Sequence, residues 1–221
     1  MTVFAAASLT DAFTRADDEF ARGNARVHFI FSFGSSSTLA TQLTNGARAD
    51  VFASADEETM RTVVDADLAD GAPTRFASNR LRIAVAPGNP KRIASLADLA
   101  RADIVLVLAA PSVPAGKYAQ QALAKAGVTA RPVSQEVDVR SVLNKVALGE
   151  ADAGIVYVTD VISAGARVSG VDIPESAQVV ALYPAAVLRD AKSPDEARAF
   201  VGYLVSPEGR TLLASFGFSP P

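Results

Sequence analysis

The sequence is poor in the residues on which many catalytic and metal sites depend. Its 221 residues include no cysteine, no tryptophan and a single histidine, His28. Disulfides, thiolate metal sites and a cysteine nucleophile are therefore excluded, whereas the cytosol and the periplasm both stay open as compartments. An activated serine generally needs a histidine partner, and His28 falls inside a predicted strand. We expect no catalytic residue, no cofactor and no residue that ligates a metal cation directly.

Strong positive charge and long apolar runs are also lacking. The formal net charge is −3, and nucleic acid is not an expected partner because phosphate backbones are bound by clustered Lys and Arg. The longest apolar run, Ile104 to Ala110, is too short to span a membrane. A first strand is predicted to start at Thr2, which leaves no room for a signal peptide. We therefore expect either a cytosolic protein or one whose leader has been removed.

The sequence does contain a regular alternation of strand and helix patterns. Such alternation predicts an α/β fold with mainly parallel sheets flanked by helices, and with ligands at the carboxyl ends of the strands. A new series begins at Leu81, after a polar, turn-rich stretch from Pro73 to Arg80, and a second crossing is expected near Val179 to Pro184. We predict two domains, the first built from residues 1–79 and 184–221 and the second from residues 80–183.

Hydrophobic periodicity and turn residues set the predicted element bounds. The predicted strands cover residues 2–7, 27–33, 50–53, 81–86, 104–108, 131–134 and 153–158, and the predicted helices cover residues 9–21, 36–43, 56–66, 115–126, 139–148, 194–205 and 207–216.

Two of the predicted strands run directly into clusters of small hydroxyl residues that open a helix. One cluster contains Ser8 and Thr10, and the other contains the serine triplet 35–37. The first turn of a helix leaves backbone N–H groups without partners, and a serine there adds a hydroxyl donor. Neither cluster contains Lys or Arg. This pattern predicts that neutral donors hold an anion, and such donors can select by shape and protonation state as well as by charge.

Three later segments have the same character. Residues 111–118 follow an apolar strand and open a helix, and Gly116 permits close backbone approach there. Residues 136–140 precede a helix whose first free N–H groups come from about Val139. Residues 154–157 end a strand on Tyr157, whose phenol is a donor at neutral pH.

Six blocks of the chain resemble, in the correct order, the periplasmic molybdate-binding proteins of ABC transporters. They are VFAAASLT at 3–10, SSSTLA at 35–40, ADVFASAD at 49–56, VPAG at 113–116, DVR at 138–140 and GIVY at 154–157. The resemblance implies a two-domain periplasmic binding protein of the type II kind, with a tetrahedral oxyanion held in the interdomain cleft. It also implies high-affinity binding of molybdate and tungstate in the periplasm, delivery to the membrane permease of an ABC transporter, and a monomer that is not an enzyme.

The resemblance also implies which residues contact the anion. From the first domain they are Ser8 and Ser36, through their hydroxyls and neighbouring amides. From the second domain they are Ala115 and Val139, through their backbone N–H groups, and Tyr157. Molybdenum would thus be bound as an oxyanion, through these same residues and without a charged side chain.

Each of these residues also has a purely structural interpretation. Ser8 and Ser36, taken singly, are typical N-caps, residues 113–116 are typical of a loop, and Tyr157 fits a core position. Three other functions also stay open. They are a receptor for sulfate or another tetrahedral oxyanion, an enzyme with a serine nucleophile, and the effector domain of a transcription regulator, which is disfavoured because no helix-turn-helix segment precedes Thr2.

Four charged residues lie close to the predicted contacts. Asp50 and Asp56 flank a short strand and a helix start, and we expect them to cap backbone N–H groups. Lys117 and Arg140 lie in the first turns of their helices, where we expect them to point outward and add a modest positive potential.

Overall fold

The structure, a computed structural model, describes residues 1–23 and 28–221. The chain divides into two compact units, here called unit 1 (Met1–Ser78 with Leu182–Pro221) and unit 2 (Asn79–Ala181). The sequence predicted the two crossings after residues 79 and 183. Both crossings of the structure fall inside strands, so the chain enters unit 2 and leaves it in extended conformation.

The elements alternate between strand and helix along most of the chain. In chain order they are β1 (Thr2–Ala6), α1 (Thr10–Gly23), β2 (Ile30–Gly34), α2 (Ser36–Thr44), β3 (Val51–Ala53), α3 (Glu57–Asp65), β4 (Thr74–Val85), β5 (Leu106–Ala109), α4 (Pro114–Lys125), β6 (Ser134–Glu136), α5 (Val139–Ala147), β7 (Ala153–Tyr157), α6 (Val158–Ala164), β8 (Ser169–Asp172), β9 (Val180–Val187), α7 (Pro194–Val205) and α8 (Pro207–Ser215). The predicted α/β class is confirmed.

The sheet of unit 1 is built around β1, which pairs in parallel with β2 on one side and with β3 on the other. β9 then pairs antiparallel with β3. Ala6 lies opposite Gly34, so β1 and β2 end at the same edge of the sheet. The chain segments that follow both strands are thereby brought to one side of unit 1.

Aromatic rings fill much of the core of unit 1. Phe13 of α1 packs edge-on against Phe200 of α7, with ring centroids 5.5 Å apart, and it also contacts Phe31 and Phe76. These contacts join residues from the first and last parts of the chain. The burial of large rings supplies the strongest apolar stabilisation available to a core of this size.

The sheet of unit 2 also combines both strand directions. β5 pairs in parallel with β6 and with β7, whereas β4 pairs antiparallel with β7 and with β8. The prediction of mainly parallel pairing is therefore right for β1 to β3 and for β5 to β7. The strand predicted at 81–86 is part of β4, but its antiparallel pairing was not foreseen, and strands β8 and β9 were not predicted.

Three predicted elements differ from the structure. The polar stretch before Leu81 is the first half of the long strand β4, where Ser78 exchanges backbone hydrogen bonds with Ser219. The strand predicted at 131–134 lies later, as β6. β2 begins at Ile30, so His28 precedes it and is exposed, and the predicted strand start at Val27 lies outside the described residues.

The two aspartates predicted as caps both accept backbone N–H groups. Asp56 is the N-cap of α3 and accepts the N–H of Thr59 at 2.9 Å. Asp50 accepts the N–H of Thr2 at 2.6 Å and the N–H of Ser193, the N-cap residue of α7, at 2.9 Å. Asp50 therefore ties the start of β1 to the start of α7 within unit 1.

Candidate functional site

Ser8 lies in a short 3-10 turn, Ala7–Leu9, directly after β1. Its side chain is 3% exposed, and its Oγ lies 2.9 Å from the Oη of the fully buried Tyr183 in β9. Because α1 begins only at Thr10, Ser8 is not the N-cap of that helix. Its hydroxyl is instead paired with a tyrosine hydroxyl from the last part of the chain.

Ser36 is the first residue of α2, and it is 1% exposed. Its Oγ accepts the backbone N–H of Ala55 at 2.9 Å. Ser35, the N-cap residue, has its own hydroxyl 2.8 Å from that of Ser37. Because the N–H of Ala55 occupies one lone pair of Ser36 Oγ, the hydroxyl hydrogen of Ser36 points in another direction and can be donated.

The two serines lie at the same edge of the unit 1 sheet. Ser8 follows Ala6 by two positions and Ser36 follows Gly34 by two positions, and Ala6 and Gly34 are opposite each other in the sheet. The strand register therefore places both serines and the first turn of α2 at one edge of the sheet.

Ala115 is the second residue of α4, after Pro114. Proline has no N–H, so the first backbone donors of this helix belong to Ala115 and Gly116. No side chain of the described residues caps this helix start. A Cβ at Gly116 would lie 2.1 Å from the carbonyl oxygen of Ala110, so only glycine lets α4 seat this closely on the end of β5.

Val139 is the first residue of α5 and is 4% exposed. Asp138, the N-cap, accepts the N–H of Ser141 at 2.8 Å, and the N–H of Val139 is the first backbone donor of the helix, in the turn where N–H groups have no intrahelical partner. Gly154 of β7 permits the close packing of the helix, because a Cβ there would lie 2.4 Å from Val142.

Tyr157 is the last residue of β7 and is 1% exposed. Its backbone N–H donates to Oδ2 of Asp160 at 3.0 Å, and the Asp160 carboxylate is completely buried in α6. Tyr157 thus ends a strand that pairs in parallel with β5, the strand that leads to Ala115.

The guanidinium of Arg140 does not point outward, and that expectation is wrong. Its Nε lies 2.9 Å from Oδ1 of Asp160, and another of its nitrogens donates to Ser163 at 2.9 Å. Only a fifth of the Arg140 side chain is exposed. The physical reason is that the buried Asp160 carboxylate needs a counter-charge, and Arg140 is the cation within reach. Lys117, the other expected outward cation, is half-buried.

A second ion pair joins the end of β6 to the last turn of α5. Lys145 Nζ is 2.7 Å from Oε1 of Glu136, and the Ser134 hydroxyl donates to the same oxygen at 2.6 Å. Burial acts to raise the pKa of Glu136, but the hydrogen bonds from Lys145 and Ser134 outweigh it and hold that pKa below its ordinary value. The Glu136 carboxylate, which precedes α5, is therefore paired with a cation of that helix.

Within the described ranges 1–23 and 28–221, no group of three or more His, Asp or Glu side chains is arranged to hold a metal ion. Over those same residues, none of the helices is both long enough and apolar enough to cross a membrane.

Comparison with known families gives a match over almost the whole chain. A sequence model of the bacterial extracellular solute-binding proteins matches residues 1–219. The chain belongs to this family.

Individual solute-binding relatives are similar over most of their length. The chain is 48% identical over 221 residues to the molybdate-binding protein ModA of Mycobacterium tuberculosis, covering all of this chain and 85% of that protein. It is 33% identical over 231 residues to the molybdate-binding protein ModA of Haemophilus influenzae, covering 99% of this chain and 89% of that protein.

Solved structures of the same fold include receptors for more than one anion. The periplasmic molybdate-binding protein of Azotobacter vinelandii matches with a TM-score of 0.89 at 21% identity, covering 100% of this chain and 99% of that one. The sulfate-binding protein SubI of M. tuberculosis matches with a TM-score of 0.88 at 22% identity, covering 100% and 86%. At these identities the two structures establish the fold, and the choice of ligand has to be argued from the residues.

Sequence analysis missed two residues that are hydrogen-bonded or ion-paired to residues at or beside the predicted contacts. Sequence analysis did not identify Tyr183 as the partner of Ser8, nor Asp160 as the partner of both Arg140 and the Tyr157 N–H. One usable signal was present, because a tyrosine inside an apolar strand generally needs a partner for its hydroxyl.

Replacing Gly116 by alanine should both destabilise the protein and weaken its binding of anions. The added Cβ would meet the Ala110 carbonyl at 2.1 Å, so α4 must shift away from β5 and carry the Ala115 N–H with it. We expect a loss of about 1–3 kcal/mol in the free energy of unfolding, measured by urea denaturation.

Gly202 provides the matched control for this substitution. It lies within α7, where a Cβ would meet nothing within 4 Å. Gly202→Ala should therefore stabilise the protein by about 0.5–1 kcal/mol, as alanine does in a helix interior. Equal stability of wild type and Gly116→Ala would contradict the close seating of α4.

Proposed function

We propose that the chain binds molybdate as a receptor of the solute-binding family. Ser8 and Ser36 donate to the oxyanion from unit 1, and Ala115, Val139 and Tyr157 donate to it from unit 2. The donors are hydroxyl and backbone N–H groups, so no charged side chain needs to touch the anion. The 48% identity to a molybdate-binding protein supports this choice of ligand.

The burial of the five positions is the observation that carries the proposal. Their exposed fractions lie between 1% and 4%, and each stands at the carboxyl end of a parallel strand or in the helix turn that follows one. Ligands of open α/β sheets bind at this edge. Buried donors there also act in a low-dielectric setting, where hydrogen bonds to an anion are strongest.

The chemistry of the donors favours a fully deprotonated tetrahedral anion. Molybdate and tungstate are dianions whose four oxygens only accept hydrogen bonds, so a set of donors can satisfy them completely. Hydrogen phosphate carries a proton, and an N–H opposite that proton would be left unsatisfied at a cost of about 1–3 kcal/mol. Sulfate has no proton but has shorter bonds to oxygen, so a rigid site shaped for molybdate would stretch its contacts.

The affinity expected from these contacts is high. A hydrogen bond to a charged group contributes roughly 1.5–3 kcal/mol, and five such bonds exceed the several kcal/mol lost on association. A submicromolar Kd is therefore expected. In this role the receptor works outside the cytoplasmic membrane, as a monomer without catalytic activity, and delivers the anion to the permease of an ABC transporter.

Titration calorimetry in one buffer tests the choice of ligand. We expect molybdate and tungstate to bind with submicromolar Kd, sulfate to bind more weakly, and phosphate to bind weakest of the four. If sulfate binds more tightly than molybdate, the alternative function, a receptor for sulfate, replaces the proposed one. Absence of heat with all four anions would reject an oxyanion receptor altogether.

Ser36→Asp should abolish the binding of molybdate, because a carboxylate would face the anion in place of a hydroxyl donor. The binding heat should disappear at protein concentrations where the wild type saturates. Thr41→Asp is the matched control, since it adds the same charge on an exposed position of α2 and should bind as wild type does. Unchanged affinity in Ser36→Asp would remove Ser36 from the site.

Tyr157→Phe should weaken molybdate binding by about 1–3 kcal/mol, which corresponds to a Kd roughly 5–150 times higher. The variant removes one hydroxyl and keeps the ring and the backbone N–H that donates to Asp160. Calorimetry with molybdate measures the change. A Kd equal to that of the wild type would show that the phenol serves the core alone.

A further inference from the structure

The direction of the hydrogen bond between Ser8 and Tyr183 decides whether the Ser8 hydroxyl can donate to a bound anion. The two hydroxyl oxygens are 2.9 Å apart, and either one can be the donor of this hydrogen bond. If Ser8 donates to Tyr183, the Ser8 hydroxyl presents only lone pairs to an anion, and the contact is repulsive. If Tyr183 donates to Ser8, the hydrogen of Ser8 is available for the anion.

The surroundings of Tyr183 fix the phenol in place. Tyr183 is fully buried in β9, and its ring packs edge-on against Phe218 at 5.3 Å between centroids and against Phe76 at 6.3 Å. A ring held on two sides keeps its Oη at one position. The phenol is also the more acidic of the two hydroxyls, so it is the better hydrogen-bond donor of the pair.

Ser36 provides a second example of the same arrangement in unit 1. Its Oγ accepts from the Ala55 N–H, a group that can only donate, so the Ser36 hydrogen must point elsewhere. The Ala55 amide thus makes Ser36 a donor. Tyr183 lies next to the Ser8 hydroxyl as the Ala55 N–H lies next to the Ser36 hydroxyl.

We propose that Tyr183 is a positioning residue that donates its phenolic hydrogen to Ser8 and thereby makes the Ser8 hydroxyl a donor toward the bound oxyanion. This inference rests on the proposed function. Tyr183 does not touch the anion; it acts through Ser8 by fixing the direction of one hydrogen.

A double-mutant cycle measured by molybdate calorimetry tests this assignment. Ser8→Ala should raise the Kd roughly 10–100-fold, since it removes a hydrogen bond to a charged group. Tyr183→Phe should raise it about fivefold or more, because Ser8 is then free to turn its hydrogen away. In the Ser8→Ala background, Tyr183→Phe should cause no further change, since the residue through which Tyr183 acts is absent.

Tyr203 supplies the matched control. It is a partly buried tyrosine of unit 1 whose hydroxyl donates to Glu19, and burial together with that carboxylate raises the pKa of Tyr203 to about 12. Tyr203→Phe should leave the Kd for molybdate unchanged. Urea denaturation of each variant establishes that it is folded under the conditions of the titration.

Each outcome separates this inference from the proposed function. If the wild type does not bind molybdate, the proposed function fails. If the wild type binds and Tyr183→Phe binds equally well, only the role of Tyr183 is overturned. If Tyr183→Phe weakens binding by the same factor with and without Ser8, its effect is a general structural one and the positioning role is likewise overturned.

Neutron diffraction from deuterated crystals of the wild-type molybdate complex tests the same point without a variant. Hydrogen positions at such hydroxyls are not seen by X-rays at ordinary resolution. We expect the deuterium between the two oxygens to be bonded to Tyr183 Oη, and the deuterium of Ser8 to point toward an oxygen of the anion. A deuterium on Ser8 Oγ that points at Tyr183 would overturn the proposal.

Discussion

A neutral group can hold an anion only if its hydrogen points toward that anion, and this directional constraint governs the whole site. A backbone N–H at a helix start has its direction fixed by the helix. A serine hydroxyl rotates, so its direction has to be set by a neighbour. In unit 1 the Ala55 amide donates to Ser36, and we propose the same role for the Tyr183 phenol, whose oxygen lies 2.9 Å from that of Ser8. The strands and helices around them can be understood as the frame that keeps these partners in place.

The pairing of charged side chains near the proposed contacts fits the same constraint. Arg140 directly follows Val139, yet its guanidinium is paired with the buried Asp160 carboxylate, which also accepts the N–H of Tyr157. This pair links the first turn of α5 to the end of β7 through two oxygens of one side chain. The residues that carry two of the proposed contacts are thereby tied together by a group with no net charge. Because these charges are paired, they attract anions in general only weakly. The size and protonation state of an anion can then decide whether it binds at the proposed site.

The parts of this molecule that could be predicted from the sequence are those set by local pattern. The helix starts at Ser36 and Val139 were predicted correctly, because hydroxyl clusters and capping residues act within a few positions of themselves. The partner of Ser8 could not be found in this way, since Tyr183 lies 175 residues further along the chain. The prediction that the Arg140 side chain points outward was wrong for a similar reason, because its direction depends on a buried carboxylate in a later helix. The first half of β4 was missed since polar residues can form a strand wherever neighbouring strands accept their hydrogen bonds.

The discontinuity of unit 1 has a consequence for how the protein is made. β3 depends on β9 for its second neighbour, and Phe13 depends on Phe200 for its edge-on contact, so the core of unit 1 needs residues from both ends of the chain. Unit 2 is a single continuous stretch. Unit 2 can therefore assemble from one continuous stretch, whereas the first 78 residues keep their apolar strands exposed until the final helices join them. Until that happens, those apolar strands are the part of the chain most open to aggregation.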